Sequence, residues 1–320
     1  MKNMLLSVKN LTVHFNADSR HKIHAVSDVS FQILKGETLG LVGESGCGKT
    51  TIARAIMQFP KPSSGKIFFQ GEDLTSVTKN RLRQLRPQFQ MIFQDSVSSL
   101  NPKRKIIDTI AAPLKIIGKT KKEERIRLAL EMADSVGIDP KTCHRRPFQL
   151  SGGQCQRVQI ARALMADPKL LICDEPVSSL DVSIQAQILN LLEALRKKHG
   201  LTMLFISHDL AVVKNVCDSV AVMYLGKLCE IVPSEKLYHG HCHPYTQALL
   251  SAIPRIEPQL SLDKIKTGEM PSPIDIAPGS GVGCRFRTRC SKAQELCAKK
   301  EPELNEIEPR HKVACHFPKC

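Results

Sequence analysis

The strongest structural signal in this chain of 320 residues is the run Gly43-Glu44-Ser45-Gly46-Cys47-Gly48-Lys49-Thr50. An apolar run at 38–42 precedes it, and a helical pattern that begins with Thr50 and Thr51 follows it. Glycines let consecutive backbone N–H groups approach a polyanion, and the N-terminus of the next helix adds its positive dipole end. Strand, loop and helix in this order predict a phosphate-binding loop, in which Lys49 reaches the β- and γ-phosphates and Thr50 binds Mg²⁺.

Two carboxylates follow a second predicted strand at 170–173, and they are Asp174 and Glu175. Open α/β sheets bind ligands at the carboxyl ends of their strands. Successive side chains on a strand point to opposite faces, so the two carboxylates are expected to have different roles. We expect Asp174 to hold Mg²⁺ through water and Glu175 to polarise the attacking water. An Asp-Glu pair can also lie in a solvated turn without a catalytic role. The apolar strand before this pair and Pro176 after it make that alternative the less favoured one.

A third motif, Leu150-Ser151-Gly152-Gly153-Gln154, lies about a hundred residues after the phosphate loop and precedes a helical apolar pattern. Ser151 suits the N-cap position of that helix. The amide groups and the dipole at a helix N-terminus form a natural anion site. The phosphate loop already predicts a place for this chain's own γ-phosphate, so the motif predicts a second anion site.

These motifs, in this order, resemble the ATP-binding-cassette family, and the resemblance covers about residues 5–255. It implies an α/β fold: a P-loop NTPase cassette with a RecA-like core, an antiparallel β subdomain and a helical subdomain at about 95–165. It also implies that two such chains close around two ATP molecules and that hydrolysis moves attached subunits. The residues implied to serve the partner's nucleotide or the dimer interface are Ser151, Gly152, Gly153, Gln154 and Asp181.

The resemblance assigns three further side chains. Gln94 matches a residue that contacts Mg²⁺ and the attacking water and lies where the membrane subunit docks. His208, after a predicted strand at 202–207, matches a histidine that contacts the γ-phosphate. Phe15 falls where the family places a ring against adenine, although its strand position suits a core residue nearly as well. The implied catalytic residues are Glu175, His208, Gln94 and Lys49.

Three longer phrases identify a branch of the family: DSVSSLNP at 95–102, CDEPVSSLDVSIQAQ at 173–187 and HPYTQALLSAIP at 243–254. They resemble the F-type ATPase subunits of dipeptide and oligopeptide importers. This resemblance implies ATP hydrolysis that powers peptide uptake at the cytoplasmic face of the cell membrane. The implied partners are two transmembrane permease subunits, a second, D-type ATPase that completes a heterodimer, and an extracytoplasmic substrate-binding protein.

Three other functions share some of these sequence features with peptide import. Uptake of nickel or another small solute stays open, because those systems share the branch. A cassette ATPase acting on nucleic acid or ribosomes is disfavoured, because the chain has neither an inserted coiled coil nor a second cassette. A non-catalytic regulatory subunit predicts the loss of Glu175 or His208, and both are present.

The chain carries a formal net charge of +15, which suits an anionic membrane surface or nucleic acid. A solvated basic surface is the simpler alternative. The chain has no Trp and three Tyr, so aromatic stacking platforms for bases are not predicted. We therefore expect membrane proximity and no nucleic-acid partner. No apolar run reaches the length of a spanning helix, and residues 1–15 suggest a strand rather than an export signal.

Five of the twelve cysteines lie in the last 37 residues. The spacing of Cys284, Cys290, Cys297 and Cys315 resembles a C-terminal unit that binds a [4Fe-4S] cluster in some peptide-importer ATPases. Four thiolates also suit tetrahedral Zn²⁺, and a unit without metal is the third alternative. Cys320 is interpreted as a bystander, and the trio at 241–243 (His-Cys-His) as loop residues.

The predicted organisation has three parts. Residues 1–232 form the nucleotide-binding domain, 233–280 an extension and linker, and 281–320 the Cys-rich domain of the oligopeptide-transporter type. Within the extension, 233–254 is expected to be mostly helical, and a proline-rich polar segment follows it.

Overall fold

The structure is a computed structural model that describes residues 4–16, 22–118, 121–252 and 283–318. These residues form two compact units, each assembled from separate stretches of the chain. The first unit contains 4–5, 33–37 and 76–206, and the second contains the described residues of 6–32, 38–75 and 207–320. The predicted boundaries at 232 and 280 stay a prediction, and most of the predicted linker lies outside the described residues.

The described part of the chain contains twelve β-strands. Four of them, β3, β7, β8 and β9, are buried at every residue, as expected for strands covered on both faces. The strands are β1 (Met4–Asn16), β2 (Lys22–Leu34), β3 (Thr38–Val42), β4 (Ser64–Phe69), β5 (Glu72–Asp73), β6 (Phe89–Ile92), β7 (Leu170–Asp174), β8 (Thr202–Ser207), β9 (Ser219–Tyr224), β10 (Lys227–Pro233), β11 (Asn305–Glu308) and β12 (His311–Val313).

Nine α-helices are present among the same residues, together with short 3₁₀ turns. None of these helices is both long enough and apolar enough to cross a lipid bilayer. The helices are α1 (Lys49–Ile56), α2 (Lys79–Leu85), α3 (Ile106–Ile117), α4 (Lys122–Ser135), α5 (Gly152–Leu164), α6 (Val182–His199), α7 (Leu210–Val216), α8 (Pro244–Ser251) and α9 (Glu295–Lys299).

The first unit combines a small parallel sheet with packed helices. Its strands lie in the order β8-β7-β6, and both pairings are parallel. In this register Asp174, the last residue of β7, lies opposite Ile206 of β8. Helices α3, α4 and α5 pack against one another, in the range expected for the helical subdomain. The carboxylates of Asp174 and Glu175 therefore lie at the carboxyl edge of this sheet.

The second unit contains a four-stranded sheet in the order β2-β1-β4-β5 and a run of neighbouring strands in the order β11-β12-β10-β9-β3. β3 and β9 are parallel, and the other pairings in that run are antiparallel. β12 belongs to the Cys-rich segment, so this segment extends the unit's own sheet. The phosphate loop follows β3 directly and leads into α1.

Local capping explains where several helices begin and end. Ser151 caps α5, and its hydroxyl accepts a hydrogen bond from the N–H of Gln154. Asp181 caps α6, which ends at Gly200 in a left-handed conformation that glycine adopts readily. The prediction of a mostly helical 233–254 is wrong over 237–243, since only a turn at 234–236 and α8 are helical.

Candidate functional site

The phosphate loop of the second unit places a buried lysine at its centre. Lys49 is 5% exposed, and its Nζ donates hydrogen bonds of 2.9 Å to the carbonyl oxygens of Gly43 and Glu44. Position 43 requires glycine, because a Cβ there would collide with the carbonyl oxygen of Met223 on β9. The loop therefore packs closely on the sheet and holds a cation at the N-terminus of α1.

Cys47 lies inside this loop and is 1% exposed. Burial raises the pKa of its thiol, although the neighbouring Lys49 acts in the opposite direction. Its carbonyl oxygen accepts a 2.9 Å hydrogen bond from the N–H of Gly226, which follows β9. Cys47 is thus a packed, protonated residue whose backbone anchors the loop to the turn after β9.

In the first unit, the amide of Gln94 and the carboxylate of Glu175 are in direct contact. Gln94 Nε2 donates a hydrogen bond of 2.9 Å to Glu175 Oε2. The strand β7 ends at Asp174, so Glu175 is not a strand residue. It has a φ of 46°, and its N–H bonds to the carbonyl oxygen of Ile206 at 3.0 Å. The expectation that the two carboxylates alternate along one strand is therefore wrong, because Glu175 leaves the strand through a left-handed turn.

Gln159, a residue that the sequence analysis did not single out, fixes the backbone around Gln94. It lies on α5 and is fully buried. Its Oε1 accepts from the N–H of Phe93 at 3.1 Å, and its Nε2 donates to the carbonyl oxygen of Asp95 at 3.2 Å. One side-chain amide thus bonds to the backbone of both residues that flank Gln94. A glutamine among the apolar residues of α5, near the equally buried Gln156, was the available signal.

The Ser151 motif forms a capped helix N-terminus in the first unit. The side chains of Ser151 and Gln154 each bond to the other residue's N–H, at 3.3 Å and 3.1 Å. Gly153 packs so close to α6 that a Cβ would lie 2.7 Å from the side chain of Ile184. The small residues let the start of α5 lie against α6, and the exposed amide end fits the predicted anion site.

Asp181 serves as a helix cap in the structure. Its carboxylate accepts hydrogen bonds from the hydroxyl of Ser183 at 2.7 Å and from the N–H of Ile184 at 3.0 Å. The Ser183 hydroxyl and these amides lower the pKa of Asp181. The capped carboxylate is exposed at the start of α6, where its predicted interface role stays a prediction.

The remaining predicted side chains lie at accessible positions. His208 directly follows β8 and is exposed. Phe15, near the end of β1, is 38% exposed, so it is not the core residue that its strand position allowed. Thr50 and Thr51 lie in the first turn of α1, directly after Lys49. The structure brings Gln94 to Glu175, and the catalytic and nucleotide-binding roles of all these residues stay predictions.

The four predicted metal-binding cysteines come together in the second unit. Cys284, Cys290, Cys297 and Cys315 line one cavity that is partly open to solvent. This space, lined by the four thiols, is called the cysteine cavity below. Burial raises the pKa of Cys284 to about 11 and also raises that of Cys315. Metal binding there would therefore release protons, as expected when thiols become thiolate ligands.

The spacing of the sulfur atoms separates two kinds of metal site. Four thiolates on one tetrahedral Zn²⁺ lie about 3.8 Å apart, because each Zn–S bond is about 2.3 Å long. Within the described residues, no three sulfur atoms of the cysteine cavity lie within 4.8 Å of one another. In a [4Fe-4S] cluster each thiolate binds a different iron, so its ligands are wider apart. The wider spacing is the arrangement that a cluster uses, and the choice between cluster, zinc and no metal stays a prediction.

A buried carboxylate organises the neighbourhood of the cysteine cavity. Glu230 on β10 is fully buried and accepts hydrogen bonds from the N–H of Cys242, at 2.7 Å, and of His243, at 3.2 Å. The Thr246 hydroxyl and His311 Nε2 also bond to it, the latter at 2.8 Å. Burial raises the pKa of Glu230, but these hydrogen bonds outweigh it and leave the pKa lowered. Glu230 is therefore a structural centre that joins β10 to the start of α8 and to β12.

Two family models match the chain. The model described as ABC transporter matches residues 26–178, which include the phosphate loop and Glu175. The model described as oligopeptide/dipeptide transporter, C-terminal region, matches residues 229–297, which include three of the four cavity cysteines. The chain therefore contains a cassette and an oligopeptide/dipeptide transporter C-terminal region, and the separate Cys-rich domain at 281–320 stays a prediction.

Curated relatives match almost the whole chain. The oligopeptide transport ATP-binding protein OppF of Haemophilus influenzae is 46% identical and covers 98% of this chain and 97% of its own. The putative oligopeptide transport ATP-binding protein YkfD of Bacillus subtilis is also 46% identical, over 98% of this chain and 95% of its own.

A solved structure confirms the predicted α/β cassette fold. The dimeric post-hydrolysis state of the ATP-binding cassette MJ0796, bound to ADP and Pi, matches with a TM-score of 0.66 and 27% identity. The match covers 72% of this chain and 99% of that one. The chain therefore belongs to the ATP-binding-cassette transporter family, among the ATP-binding proteins that carry the oligopeptide and dipeptide transporter C-terminal region.

Proposed function

We propose that this chain is the ATP-binding and ATP-hydrolysing subunit of a membrane importer that takes up dipeptides or oligopeptides. The observation that carries the proposal is similarity to peptide-import ATP-binding proteins over 98% of the chain. The match to the transporter C-terminal region supports the peptide branch in particular, because that region lies outside the nucleotide-binding motifs.

The side chains of each unit suit a separate part of the hydrolysis reaction. In the second unit, Lys49 and the amides of the phosphate loop bind the phosphates of ATP, and Thr50 ligates Mg²⁺. In the first unit, Glu175 takes a proton from the attacking water. The oxygen of that water forms a bond to the γ-phosphorus at the same time. The bond from that phosphorus to the β–γ bridging oxygen breaks, and ADP leaves with the bonding electrons. The hydrogen bond from Gln94 orients the Glu175 carboxylate for this step.

Hydrolysis drives transport through a change in affinity between two chains. The start of α5 at Ser151 receives the γ-phosphate of a nucleotide held by a partner ATPase, so ATP favours the closed pair. A D-type cassette chain is the proposed partner, because the sequence resembles the F-type subunit of two-ATPase importers. Product release reopens the pair and moves the attached permease subunits.

The proposed location is the cytoplasmic face of the cell membrane, on two permease subunits that work with an extracytoplasmic substrate-binding protein. Phe93 and Val97, on either side of Gln94, are 41% and 51% exposed. Exposed apolar side chains grouped beside a functional residue favour contact with another protein. This location beside Gln94 links permease movement to the residue that holds Glu175.

The cysteine cavity is proposed to hold a [4Fe-4S] cluster. The four cysteines that line the cavity support this assignment, and no three of their sulfur atoms form the compact group that a single zinc ion requires. When bound, a cluster supplies one-electron redox chemistry and ties the segment 284–315 together. The four thiols of this chain would bind the iron atoms, and the positive side chains of Arg287 and Lys292 would offset the negative charge of the thiolates.

Purification from native membranes tests the importer assignment. Tagged protein is extracted in mild detergent, and co-purifying chains are identified by mass spectrometry. Two multi-spanning proteins and a second cassette ATPase, recovered in comparable amounts, are expected. Recovery with soluble or nucleic-acid-associated proteins alone would overturn the assignment. A Lys49→Ala variant, purified in parallel, separates stable assembly from assembly that requires bound ATP.

A further inference from the structure

Glu44 in the phosphate loop is held at three points, and each contact involves a different group of the residue. Its carbonyl oxygen accepts a 2.9 Å hydrogen bond from Lys49 Nζ. Its N–H donates a 3.0 Å hydrogen bond to the hydroxyl of Tyr245. Its carboxylate accepts two hydrogen bonds from Arg289. Glu44 thus joins the phosphate-binding amine to two side chains from the C-terminal region.

The contact with Arg289 is a bidentate ion pair that is largely shielded from water. The two guanidinium nitrogens lie 2.9 Å from the two carboxylate oxygens of Glu44. The side chains are 17% and 24% exposed. The guanidinium carbon lies 5.7 Å from the centre of the Tyr224 ring and 5.8 Å from that of Phe286. Paired and partly enclosed by two rings, this arginine has a defined position rather than a mobile one.

Arg289 is positioned by the segment that also forms the cysteine cavity. It belongs to a tight turn between Cys284 and Cys290, in which the N–H groups of Arg289 and Cys290 bond to the carbonyl oxygen of Phe286 at 3.1 Å and 3.0 Å. The N–H of Cys284 bonds to the carbonyl oxygen of Cys297 at 2.7 Å. Two cavity cysteines therefore flank the residue that reaches the phosphate loop.

Tyr245 is positioned by an aromatic cluster in the same unit. It lies on α8 and is fully buried. Its ring centre is 4.6 Å from that of Tyr224 and 5.3 Å from that of Phe286. Because its hydroxyl accepts from the N–H of Glu44, this amide already has a partner within the protein. The phosphate-facing amides are those later in the loop, and Tyr245 fixes where that part of the loop begins.

We propose that Arg289 and Tyr245 are positioning residues of the nucleotide site, which hold Glu44, and through it Lys49, in the arrangement that binds ATP. The inference rests on the proposed function, in which the phosphate loop binds ATP. It extends the nucleotide site to residues 201 and 245 positions away in sequence, beyond the cassette motifs.

The positive charge of Arg289 should affect ATP affinity in a way that a purely structural contact would not. Glu44 carries a negative charge within the loop that receives a polyanion, and Arg289 neutralises it. Removing Arg289 leaves that carboxylate without this counter-ion beside the phosphates, so repulsion adds to the loss of loop order. Neutralising Glu44 as well removes the repulsion. The double variant Glu44→Gln/Arg289→Ala is therefore expected to bind ATP more tightly than Arg289→Ala alone.

Equilibrium binding of Mg-ATP to the full chain tests the proposal. Arg289→Ala is expected to bind about 5- to 50-fold more weakly, within the usual range of coupling between sites. Arg289→Lys retains the charge but not the bidentate geometry, and Tyr245→Phe removes one oxygen atom; both are expected to show smaller losses. Lys299→Ala is the matched control, because this exposed lysine of the Cys-rich segment pairs with Glu295 and does not contact the loop.

The outcomes distinguish this proposal from the function on which it rests. If Lys49→Ala loses ATP and Arg289→Ala and Tyr245→Phe bind it like wild type, the positioning role is wrong while the phosphate loop stands. If Lys49→Ala also binds normally, the loop itself is wrongly assigned. A lower thermal midpoint for Arg289→Ala with unchanged affinity assigns the ion pair to stability alone and also contradicts the proposal. Partial recovery in the double variant supports it.

Discussion

The side-chain amide of Gln94 donates a hydrogen bond of 2.9 Å to the carboxylate of Glu175, across 81 positions of sequence. Gln94 follows β6 and Glu175 follows β7, and these two strands are parallel neighbours. Their carboxyl ends therefore deliver an amide and a carboxylate to the same edge of the sheet. One oxygen of Glu175 is oriented by this contact, which suits a base that must face a particular water molecule.

Replacing Glu175 with glutamine tests its role as the base. The Glu175→Gln variant preserves size but cannot accept the proton of water. Hydrolysis should fall by about 10²- to 10⁴-fold, and ATP affinity should be retained, so closed pairs accumulate. Single-turnover hydrolysis and equilibrium binding, measured on the same preparation, check both parts. Turnover within a few-fold of wild type would remove Glu175 from this role.

Gln159 should matter for the rate of hydrolysis although it lies outside the sequence motifs. Gln159→Leu keeps the volume but leaves the N–H of Phe93 and the carbonyl of Asp95 without this partner. We expect kcat to fall by about 10-fold, with little change in the KM for ATP, because Gln94 loses its fixed backbone. Gln156→Leu is the matched control, since Gln156 is equally buried on α5 and its Nε2 has no hydrogen-bond partner in the described part of the chain. Equal kinetics for both variants would contradict the assignment.

Histidine burial should make the fold less stable in mild acid. His24 on β2 is 8% exposed, and burial, followed by nearby positive groups, lowers its pKa from 6.5. Below pH 6.5 the unfolded chain then binds more protons than the folded chain, so stability falls as pH falls. The slope from this one group is at most about 1.4 kcal/mol per pH unit.

Urea unfolding between pH 7.5 and 5 measures this effect, and His24→Phe provides the comparison. The variant retains a ring against His14, whose centre is 4.0 Å away, and removes the titration. Its stability should depend less steeply on pH than that of wild type. Parallel curves for the two proteins would show that His24 does not contribute.

Anaerobic purification tests the metal assignment of the cysteine cavity. The chain should contain about four iron atoms and absorb visible light, as expected for one [4Fe-4S] cluster. Cys297→Ser should lose iron, because a ligand is removed, whereas Cys143→Ser should retain it, since Cys143 is buried in the first unit. One zinc ion per chain, or a colourless protein free of iron, would contradict the cluster.

The cassette core could be predicted because its signals are continuous in sequence. The loop before Lys49, the N-cap at Ser151 and the carboxylate at Asp174 each depend on a strand or helix next to them, and the structure places all three as expected. Contacts across long distances in sequence could not be predicted in this way. Nothing in the sequence around Arg289 distinguishes it from other basic residues, and only the fold shows that it pairs with Glu44.

The helix predicted over 233–254 is interrupted by a contact with a residue that is distant in sequence. The apolar pattern of 233–254 favours helix, but the N–H groups of Cys242 and His243 bond to the buried Glu230. Pro244 then starts a new helix, as proline does well at the first helical position. The deciding partner lies on a strand outside the pattern, so helical periodicity alone could not reveal it.

Peptide uptake by living cells tests the central claim that hydrolysis by this chain powers import. A strain that lacks the chain receives wild type or Glu175→Gln, each confirmed by immunoblot to be at the membrane in equal amounts. Entry of a labelled mixture of short peptides is then measured. The account predicts that wild type restores uptake and that Glu175→Gln leaves it at the level of the deletion. Uptake supported equally by both forms, or unaffected by deletion, would contradict the account.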